Sequence, residues 1–554
     1  MSIAPVLPSK RRAIQGPLLH VIASLLWLPQ AGLLAWGVDG MLKGRDWHSA
    51  MTPVFGLLGL GVLRAVAEAW GARLIYRSAR DRLTLLRASA AQALAQRSPL
   101  DRQRPPSGQA ASVMAEQSEA IIPYLVRYQP ACWRTVCLPV AILAAVAPMS
   151  WLAALVLAVA APLIPLFMIL VGLGARAASR TQMVEMGSMN AFLLDRLRGL
   201  ASLRALGAVE ATAGRLASSA QSLRQRTMAV LRIAFLSSAV LELFSALGVA
   251  MVAAYIGFSL LGTLTVGSWG QRLGLGQAMF ILLLAPAFFE PLRELAAAWH
   301  DKAAGQAGLD ALNALAAPQA AVRLPGSGQS STALIPSAQP PSVSIMQLDF
   351  AYPGEAQRFR QFNLEVQAGE HLALLGTSGA GKSTLLSLLA GLVPASAGEI
   401  HIGGVRLVDA NVDAARQRMA WIGQRPHIFS ASVARNLTLG RAVADAAALR
   451  RTLQLADLAG VTQAQPQIML SDGGHGLSGG EAVRLALARA ALAPQADLLL
   501  VDEPTAHLDR ETAARVIDAL CALAQGKTML VATHDPELVK RLHRSINLDA
   551  VSAV

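Results

Sequence analysis

The stretch His371–Leu389, "HLALLGTSGAGKSTLLSLL", decides how the second half of the chain folds. It reads as a short aliphatic strand, a glycine-rich loop and the start of an apolar helix, and the loop Gly376–Thr384 satisfies G-x-x-x-x-G-K-[ST]. Glycines let backbone N–H groups point inward around a phosphate, and the following helix N-terminus adds a positive dipole end. A glycine-rich turn without a ligand is the alternative, but the strand–loop–helix context favours a nucleotide phosphate site.

Individual roles follow from this loop. Lys382 is expected to reach the β- and γ-phosphates, and the Ser383 hydroxyl is expected to be a Mg²⁺ ligand. The residues predicted to bind the nucleotide here are Gly376, Thr377, Ser378, Gly379, Ala380, Gly381, Lys382, Ser383 and Thr384.

A second motif, "LLLVDEP" (Leu498–Pro504), is a buried strand pattern that ends in two acids. In nucleotide hydrolases with such a phosphate loop, an acid at this place holds Mg²⁺, so Asp502 is the candidate metal ligand. Glu503 is then the candidate general base that polarises the attacking water. Taken alone, the pair could also be two surface acids at a strand end.

With these motifs in place, roughly Ser342–Ala550 resembles the ATPase domain of ABC transporters. The resemblance implies an adenine-stacking role for Tyr352, a Mg²⁺ contact for Gln424, and a γ-phosphate hydrogen bond from the switch histidine His534. A lone tyrosine, glutamine or histidine is usually a packing or surface residue, but here the order and spacing of the motifs match the family. Asp509, in "AHLD", matches the loop that follows the catalytic glutamate.

The sequence "LSGGE" matches the family's signature, which closes over the nucleotide of the opposite subunit. The residues concerned are Leu477, Ser478, Gly479, Gly480 and Glu481. One chain is therefore not enough, and a second half, identical or paralogous, is required. The family usually ends this motif in Gln; because a carboxylate near a triphosphate is repelled, Glu481 predicts that this composite site is the weaker one.

The first half of the chain has a different character. The whole sequence is 54% hydrophobic and only 15% charged, which is typical of a membrane protein rather than a soluble one. Stretches long enough to cross a bilayer core of about 30 Å predict six spans. They are Gly16–Val38, Thr52–Tyr76, two within Thr135–Ala175 that turn near Ala147–Ser150, Ile233–Gly262 and Leu273–Leu295.

Basic residues predict the orientation of these spans. Arginines concentrate in Arg73–Arg104 and Arg176–Arg232, whereas the opposite loops are short and carry few basic residues. By the positive-inside rule, the two long loops, the N-terminus and the ATPase domain are cytoplasmic. The net charge of +13 is thus explained without nucleic-acid binding. The stretch Arg323–Ser342, rich in Pro, Gly and Ser, is predicted to be a flexible linker.

The expected fold is an α-helical six-span transmembrane domain followed by an α/β P-loop ATPase domain, as in ABC exporter half-transporters. The predicted boundaries are 1–315 for the membrane domain, 316–342 for the linker and 343–554 for the nucleotide-binding domain. The resemblance places coupling helices near Ser98–Ser107 and within Asn190–Leu203, where solvated basic helices are the alternative.

Several longer phrases resemble the CydD family, which forms one half of the heterodimeric CydDC exporters needed for cytochrome bd assembly. The phrases are Pro162–Ala175, Phe192–Gly207, Arg224–Gly262 and Leu284–Ala303. This resemblance implies a bacterial inner-membrane heterodimer with a CydC-like partner. It also implies ATP-driven export of cysteine or glutathione to the periplasm, with haem or another hydrophobic cargo as the competing substrate. A different class, an ATPase-gated regulator that moves nothing against a gradient, stays open.

The residues discriminate weakly between these cargoes. Arg64, Arg134 and Arg293 lie within or near spans, where charges are costly and often functional, so they are candidates for binding substrate carboxylates. Each could equally pair with a membrane glutamate, namely Glu68, Glu242 or Glu290, and Glu68 lies four residues from Arg64 on the same helix face. His300, beside Trp299, is a candidate haem ligand, although a histidine next to an aromatic residue is also typical of an interfacial anchor.

Overall fold

The computed structural model divides into two compact units, a membrane unit (Met1–Ala91 and Pro106–Ala316) and a sheet unit (Gln92–Pro105 and Ala317–Val554). The described residues are 10–44, 47–101, 103–164, 166, 192–193, 196, 199–264, 266–270, 272–316, 322–326, 339–441, 446–471, 476–493 and 495–551.

The membrane unit is built from helices. Its α-helices are Lys10–Leu25, Trp27–Leu42, Trp47–Ala95, Ser107–Ala115, Ile121–Pro123, Gln129–Val146, Trp151–Ala160, Leu200–Ala205, Val209–Leu260, Leu275–Ala297 and Trp299–Ala316. A 3₁₀ turn (Gln117–Ala120) precedes the short helix Ile121–Pro123, and a π turn (Tyr124–Tyr128) follows it.

Within the described residues, five segments are long and apolar enough to cross a membrane: Ile14–Leu42, Met51–Ala95, Ser107–Val146, Ala239–Leu260 and Leu275–Ala316. The fourth predicted span, which is the second of the two within Thr135–Ala175, is described only in part, as the shorter apolar helix Trp151–Ala160, because most of its second half lies outside the described residues. The chain is therefore a multi-pass membrane protein.

The predicted turn at Ala147–Ser150 is confirmed, and Ser150 explains why the next helix begins there. Its Oγ accepts a hydrogen bond from the backbone N–H of Ala153 (3.2 Å) and donates one to the carbonyl of Gly267 (2.9 Å). An N-cap of this kind satisfies one of the helix's orphan donors, which is especially valuable where water is scarce.

The core of the membrane unit centres on Phe288 and Phe289, which are fully buried and meet edge to face with centroids 5.1 Å apart. Gly248 lies so close that a Cβ there would be 2.4 Å from a Phe289 ring carbon. Small residues at such crossings let helices pack closely in a membrane, where no hydrophobic force acts between them.

Within its described residues, the sheet unit contains eleven strands. They are β1 (Val343–Phe350), β2 (Phe359–Val366), β3 (His371–Leu375), β4 (Ala397–Ile402), β5 (Val405–Arg406), β6 (Met419–Ile422), β7 (Ala431–Ser432), β8 (Met469–Leu470), β9 (Leu498–Asp502), β10 (Thr528–Ala532) and β11 (Arg544–Asn547). Its helices are Lys382–Leu389, Val412–Gln417, Val433–Thr438, Ala446–Leu455, the 3₁₀ turn Thr462–Ala464, Gly479–Ala491, Arg510–Ala524, Pro536–Val539 and Leu548–Val551.

Two sheets carry the architecture of this unit. One is parallel with the order β11-β3-β10-β9-β6, and the other is antiparallel with the order β2-β1-β4-β5. Strands β9 and β10 are buried at every position, as expected for central strands of a parallel sheet covered on both faces. The predicted α/β fold after an α-helical membrane region is confirmed.

The sheet unit includes a short segment, Gln92–Pro105, that the sequence-based scheme assigns to the membrane domain. It belongs here because its backbone pairs with Val322–Leu324: the N–H of Ser98 donates to the carbonyl of Val322 (2.9 Å), and that of Leu324 to Gln96 (2.8 Å). Ser98 Oγ also donates to the Leu392 carbonyl (2.7 Å).

The prediction that Arg323–Ser342 is flexible throughout is wrong at its beginning. Arg323 forms a β-bridge with Arg97, and the Gly326 N–H donates to Asp409 Oδ1 (2.7 Å). Composition missed this order because the partners of the segment are distant in sequence. Residues 327–338 of the linker, and much of the predicted coupling segment Asn190–Leu203, lie outside the described residues, although the helix Leu200–Ala205 overlaps the latter.

Candidate functional site

The parallel sheet brings four sequence motifs to one edge. Strands β3, β10, β9 and β6 are neighbours, with Ala532 paired to both Leu374 and Asp502, and Ile422 paired to Val501. The carboxyl ends of parallel strands lie at the same edge, which is where α/β proteins bind ligands. The groups that follow these strands are the phosphate loop, His534, Asp502–Glu503 and Gln424.

Lys382 lies at the centre of this edge and is buried. Its Nζ donates to the carbonyls of Gly376 (2.7 Å) and Thr377 (3.2 Å), lies 2.8 Å from His534 Nε2 and is 4.0 Å from Glu503 Oε1. The structure thus joins the predicted phosphate lysine, the predicted base and the predicted switch histidine in one cluster.

The phosphate loop needs a glycine where it enters its helix. Gly381 precedes the helix Lys382–Leu389 with φ 99°, in the left-handed region that glycine adopts without a steric cost. A Cβ at this position would also lie 2.9 Å from the ring of Phe359. Of the loop, Thr377, Ser378 and Gly379 are exposed, so their surfaces are open to a ligand.

Asp502 is buried at the end of β9 and accepts a hydrogen bond from the side chain of Ser383. Burial raises the pKa of Asp502 above its ordinary value, and the neighbouring Glu503 adds to this, whereas the Ser383 hydrogen bond and the Lys382 ammonium lower it. Two adjacent carboxylates face one ammonium, and a carboxylate beside a hydroxyl is an oxygen donor set that suits Mg²⁺. The residues present therefore fit that cation.

Glu503 is held in an unusual backbone conformation, with φ 44°, while its N–H donates to the Ala532 carbonyl (2.8 Å). Non-glycine residues in this region are uncommon and cluster at functional sites. Its carboxylate accepts from Gln424 Nε2 (3.1 Å) and lies 3.4 Å from His534 Nε2. The predicted general base is therefore aimed by two side chains from neighbouring loops.

Two further contacts border the loop. The Tyr352 hydroxyl lies 3.3 Å from Thr384 Oγ1, which puts this aromatic residue beside the phosphate-loop helix. Asp549 accepts from the Thr377 backbone N–H (2.7 Å) and hydroxyl (2.8 Å). Sequence reasoning missed Asp549, because a lone acid near the end of the chain belongs to no motif.

The signature residues form the start of the helix Gly479–Ala491. The Ser478 Oγ accepts from the Glu481 N–H (3.3 Å), while the Glu481 carboxylate accepts from the Ser478 N–H (2.7 Å), which is a capping box. A Cβ on Gly480 would lie 2.3 Å from Thr512 Cγ2, so this glycine permits close helix packing. Asp509 similarly caps its own helix by accepting from the Thr512 N–H (3.0 Å).

Both halves of the chain match known protein families. The ABC transporter family pattern matches residues 359–506, and the pattern of the ABC transporter transmembrane region matches residues 14–275. The glutathione/L-cysteine transport system ATP-binding/permease protein CydD of Escherichia coli K12 is 35% identical over 94% of this chain and 88% of its own length. The chain belongs to the ABC transporter family, in the group of the CydD proteins.

Two further likenesses agree with this assignment. The protein named CydC of Bacillus subtilis is 29% identical over 96% of this chain and 90% of its own length. A bacterial Atm1-family ABC exporter with ATP bound superposes with a TM-score of 0.76 at 21% identity, covering 98% of this chain and 94% of the exporter chain, which shows the shared fold. As an ABC transporter, the chain couples ATP hydrolysis to transmembrane transport and uses ATP with Mg²⁺.

In the membrane unit, the three arginines singled out by sequence line one cavity of about 500 Å³. Arg134 pairs with Glu294 (2.7 Å) and Arg293 pairs with Glu242 (2.9 Å), whereas Arg64 stacks 5.5 Å from the Trp27 ring centroid. Sequence reasoning foresaw pairing with a glutamate but did not identify Glu294. The same walls carry Ser24, Leu138, Leu282, Leu283, Pro286, Ala287 and Glu290.

His300 does not line this cavity. It is exposed at the start of the helix Trp299–Ala316. The preceding residue, Trp299, has its ring against the ammonium of Lys302. Within the part of the chain that the structure describes, no group of three or more His, Cys, Asp or Glu side chains forms a metal-binding cluster.

Proposed function

We propose that the chain is the CydD-like half of a heterodimeric exporter that uses ATP to move cysteine or glutathione from the cytoplasm to the periplasm. The observation that carries the energy-coupling part is the cluster of Lys382, Glu503 and His534, whose charged and ring atoms lie within 4.0 Å of one another. The name of the Escherichia coli CydD relative, a glutathione/L-cysteine transport protein, supports a thiol cargo.

At the nucleotide, each member of the cluster has a separate task. Lys382 neutralises charge on the β- and γ-phosphates while the loop N–H groups hold them. Glu503, oriented by Gln424, polarises the attacking water, and His534 donates a hydrogen bond to the γ-phosphate. Tyr352 provides the aromatic face on which adenine stacks.

Ser383, Asp502 and Gln424 are the residues that would hold Mg²⁺. The ion supplies neutralisation of negative charge on the phosphate oxygens. The protein contributes a buried carboxylate already hydrogen-bonded to the Ser383 hydroxyl, so little rearrangement is needed to present both oxygens.

A partner chain completes the arrangement. Ser478 and Gly479 are exposed at a helix N-terminus, where backbone N–H groups and the helix dipole favour a phosphate. This signature surface contacts the nucleotide held by a CydC-like partner, with Asp509 in the adjoining loop. The likeness between this chain and the CydC relative supports two related halves of one transporter.

The proposed setting is the bacterial inner membrane, with the N-terminus and the sheet unit in the cytoplasm. The arginine-rich loops support this orientation through the positive-inside rule. The predicted coupling segment near Ser98–Ser107 starts within residues tied to the sheet unit, and Leu100 packs against its hydrophobic core. That attachment supports transmission of motion from the nucleotide site.

Reconstitution tests the function directly. The chain is purified with its CydC-like partner in vesicles, and uptake of labelled cysteine, glutathione and haem is followed with ATP and with a non-hydrolysable analogue. ATP-dependent accumulation of cysteine or glutathione is expected, and it should disappear in Glu503→Gln. Accumulation of haem alone, or of none of the three, contradicts thiol export.

A further inference from the structure

The three arginines of the membrane cavity differ in how their charge is balanced. Arg134 and Arg293 each face a carboxylate contributed by another helix. Arg64 has the Trp27 ring as its neighbour, and among the described residues no carboxylate lies within ion-pair distance of it. The pairing with Glu68, four residues along the same helix, that the sequence allows is not formed. Arg64 is thus an uncompensated cation at a cavity wall.

The cavity also carries an acid with no ion-pair partner among the described residues. Glu290, on the helix Leu275–Ala297, lines the same space. It does not pair with Arg64 or with Arg293, whose guanidinium is occupied by Glu242. Among the described residues, the wall therefore presents one positive and one negative charge without an ion-pair partner.

Charges inside a membrane-spanning region are costly unless they meet a partner, and they commonly mark a substrate path. A cavity of about 500 Å³ is of the size that binds small molecules. Apolar side chains make up much of the remaining wall, with Trp27, Leu138 and Leu282 among them. A ligand with both charges and a small side chain would satisfy every part of this wall.

We propose that the cavity binds an amino-acid headgroup, with Arg64 taking the α-carboxylate and Glu290 taking the α-ammonium. This deepens the proposed export of thiols and rests on it, because cysteine and the γ-glutamyl end of glutathione both carry that headgroup. Such a site would favour amino-acid cargoes over haem, because haem has carboxylates for Arg64 but no ammonium for Glu290.

The test combines variants with ligands that lack one charge. Binding of labelled cysteine to the purified complex is competed with alanine, cysteine methyl ester and N-acetylcysteine. The variants are Arg64→Gln, Arg64→Lys and Glu290→Gln. The matched control is Arg77→Gln, an exposed arginine of the same helix that does not line the cavity.

The affinities form a double-mutant cycle, in which a charge is removed from the protein, from the ligand or from both. A charge-assisted hydrogen bond contributes roughly 1.5–3 kcal/mol, so Arg64→Gln should weaken cysteine binding by about tenfold or more. The methyl ester should lose no further affinity in that variant, and Arg64→Lys should recover part of it. Glu290→Gln should also weaken the binding of cysteine by about tenfold or more, but it should leave the affinity for N-acetylcysteine, which has no ammonium, unchanged. Arg77→Gln should not change the affinity for any of these ligands.

Each contrary outcome is distinct. If Arg64→Gln weakens cysteine and its methyl ester equally, the residue has a structural role and the headgroup assignment is overturned. Absence of binding by every amino-acid ligand overturns it as well. If alanine and cysteine bind with this pattern but the vesicles accumulate no thiol, the headgroup site stands and the proposed thiol export fails.

Discussion

The nucleotide edge of the sheet unit and the cavity of the membrane unit are assembled in different ways. At the nucleotide edge, the phosphate loop, Gln424, Asp502–Glu503 and His534 belong to short motifs that follow strands of the parallel sheet, and the order of those strands places the motifs side by side. In the cavity, Arg64, Arg134 and Arg293 come from three helices, and they belong to no motif. Their only local signal is that a charged side chain within a membrane span is energetically costly. The residues proposed for ATP hydrolysis can therefore be found from motifs, whereas those proposed for cargo binding are brought together by helix packing.

Glu503→Gln should have the largest effect, because it removes the proposed general base from the nucleotide edge. Loss of a general base lowers turnover by about 10²–10⁴-fold, so hydrolysis at the site holding Lys382 should nearly vanish while ATP binding persists. Single-turnover hydrolysis and nucleotide retention measure this in a complex whose partner site is inactivated. Glu511→Gln is the matched control, because Glu511 is an exposed acid whose ion pair among the described residues is with Arg515. Normal hydrolysis in Glu503→Gln refutes the assignment.

The pH dependence of Mg²⁺ use probes the same edge through Asp502. Its pKa is raised mainly by burial, and protons compete with the metal for the carboxylate, so competition sets in at higher pH than for an exposed aspartate. Below that pKa, the Mg²⁺ concentration for half-maximal ATP turnover should rise by up to about tenfold per pH unit. A titration of turnover against Mg²⁺ at several pH values measures it, with Asp502→Asn expected to flatten the profile. A requirement that stays constant as the pH falls contradicts the metal-ligand role.

The sequence predicted more of the sheet unit than of the membrane unit, for a physical reason. The phosphate loop and the strand that ends at Asp502 each depend on residues adjacent in the chain, so pattern is enough to place them. The Arg134–Glu294 pair joins residues from two distant helices, and the order at Arg323 depends on pairing with Arg97. Such contacts are set by tertiary packing, which a single sequence does not display.

Helix packing in the membrane unit can be tested with Gly305→Ala. A Cβ there would lie 2.3 Å from Tyr124 Cβ, at the root of the side chain, so the helix Trp299–Ala316 must shift away. Overpacking of this kind costs about 1–3 kcal/mol. The expected result is a lower midpoint of thermal unfolding in detergent.

Gly257→Ala is the matched control for this substitution. Gly257 also lies in a helix, but a Cβ there meets nothing within 4 Å. Its midpoint should be unchanged or slightly higher, since alanine favours a helix over glycine by roughly 1 kcal/mol. Equal midpoints for the two variants would mean that the close contact at Gly305 does not constrain the membrane unit.

Glu481→Gln is expected to change ATP binding only slightly. Glutamine can keep the capping box with Ser478, so the helix should retain its stability while the negative charge is removed. Relief of repulsion at the partner-held nucleotide should tighten ATP binding by about two- to fivefold, in keeping with charge effects of roughly 0.3–1 kcal/mol at helix ends. Nucleotide titration of the complex measures this, and unchanged affinity and turnover would show that the substitution is neutral.

Coupling between the membrane cavity and the nucleotide edge can be measured as glutathione-dependent ATP turnover. The reconstituted pair is assayed for ATP hydrolysis with increasing glutathione or cysteine, and with haem in parallel. We expect the thiols to raise ATP turnover with saturation, because occupancy of the membrane cavity would be transmitted to the nucleotide edge. Turnover that is the same at every thiol concentration, or that responds to haem alone, would contradict it.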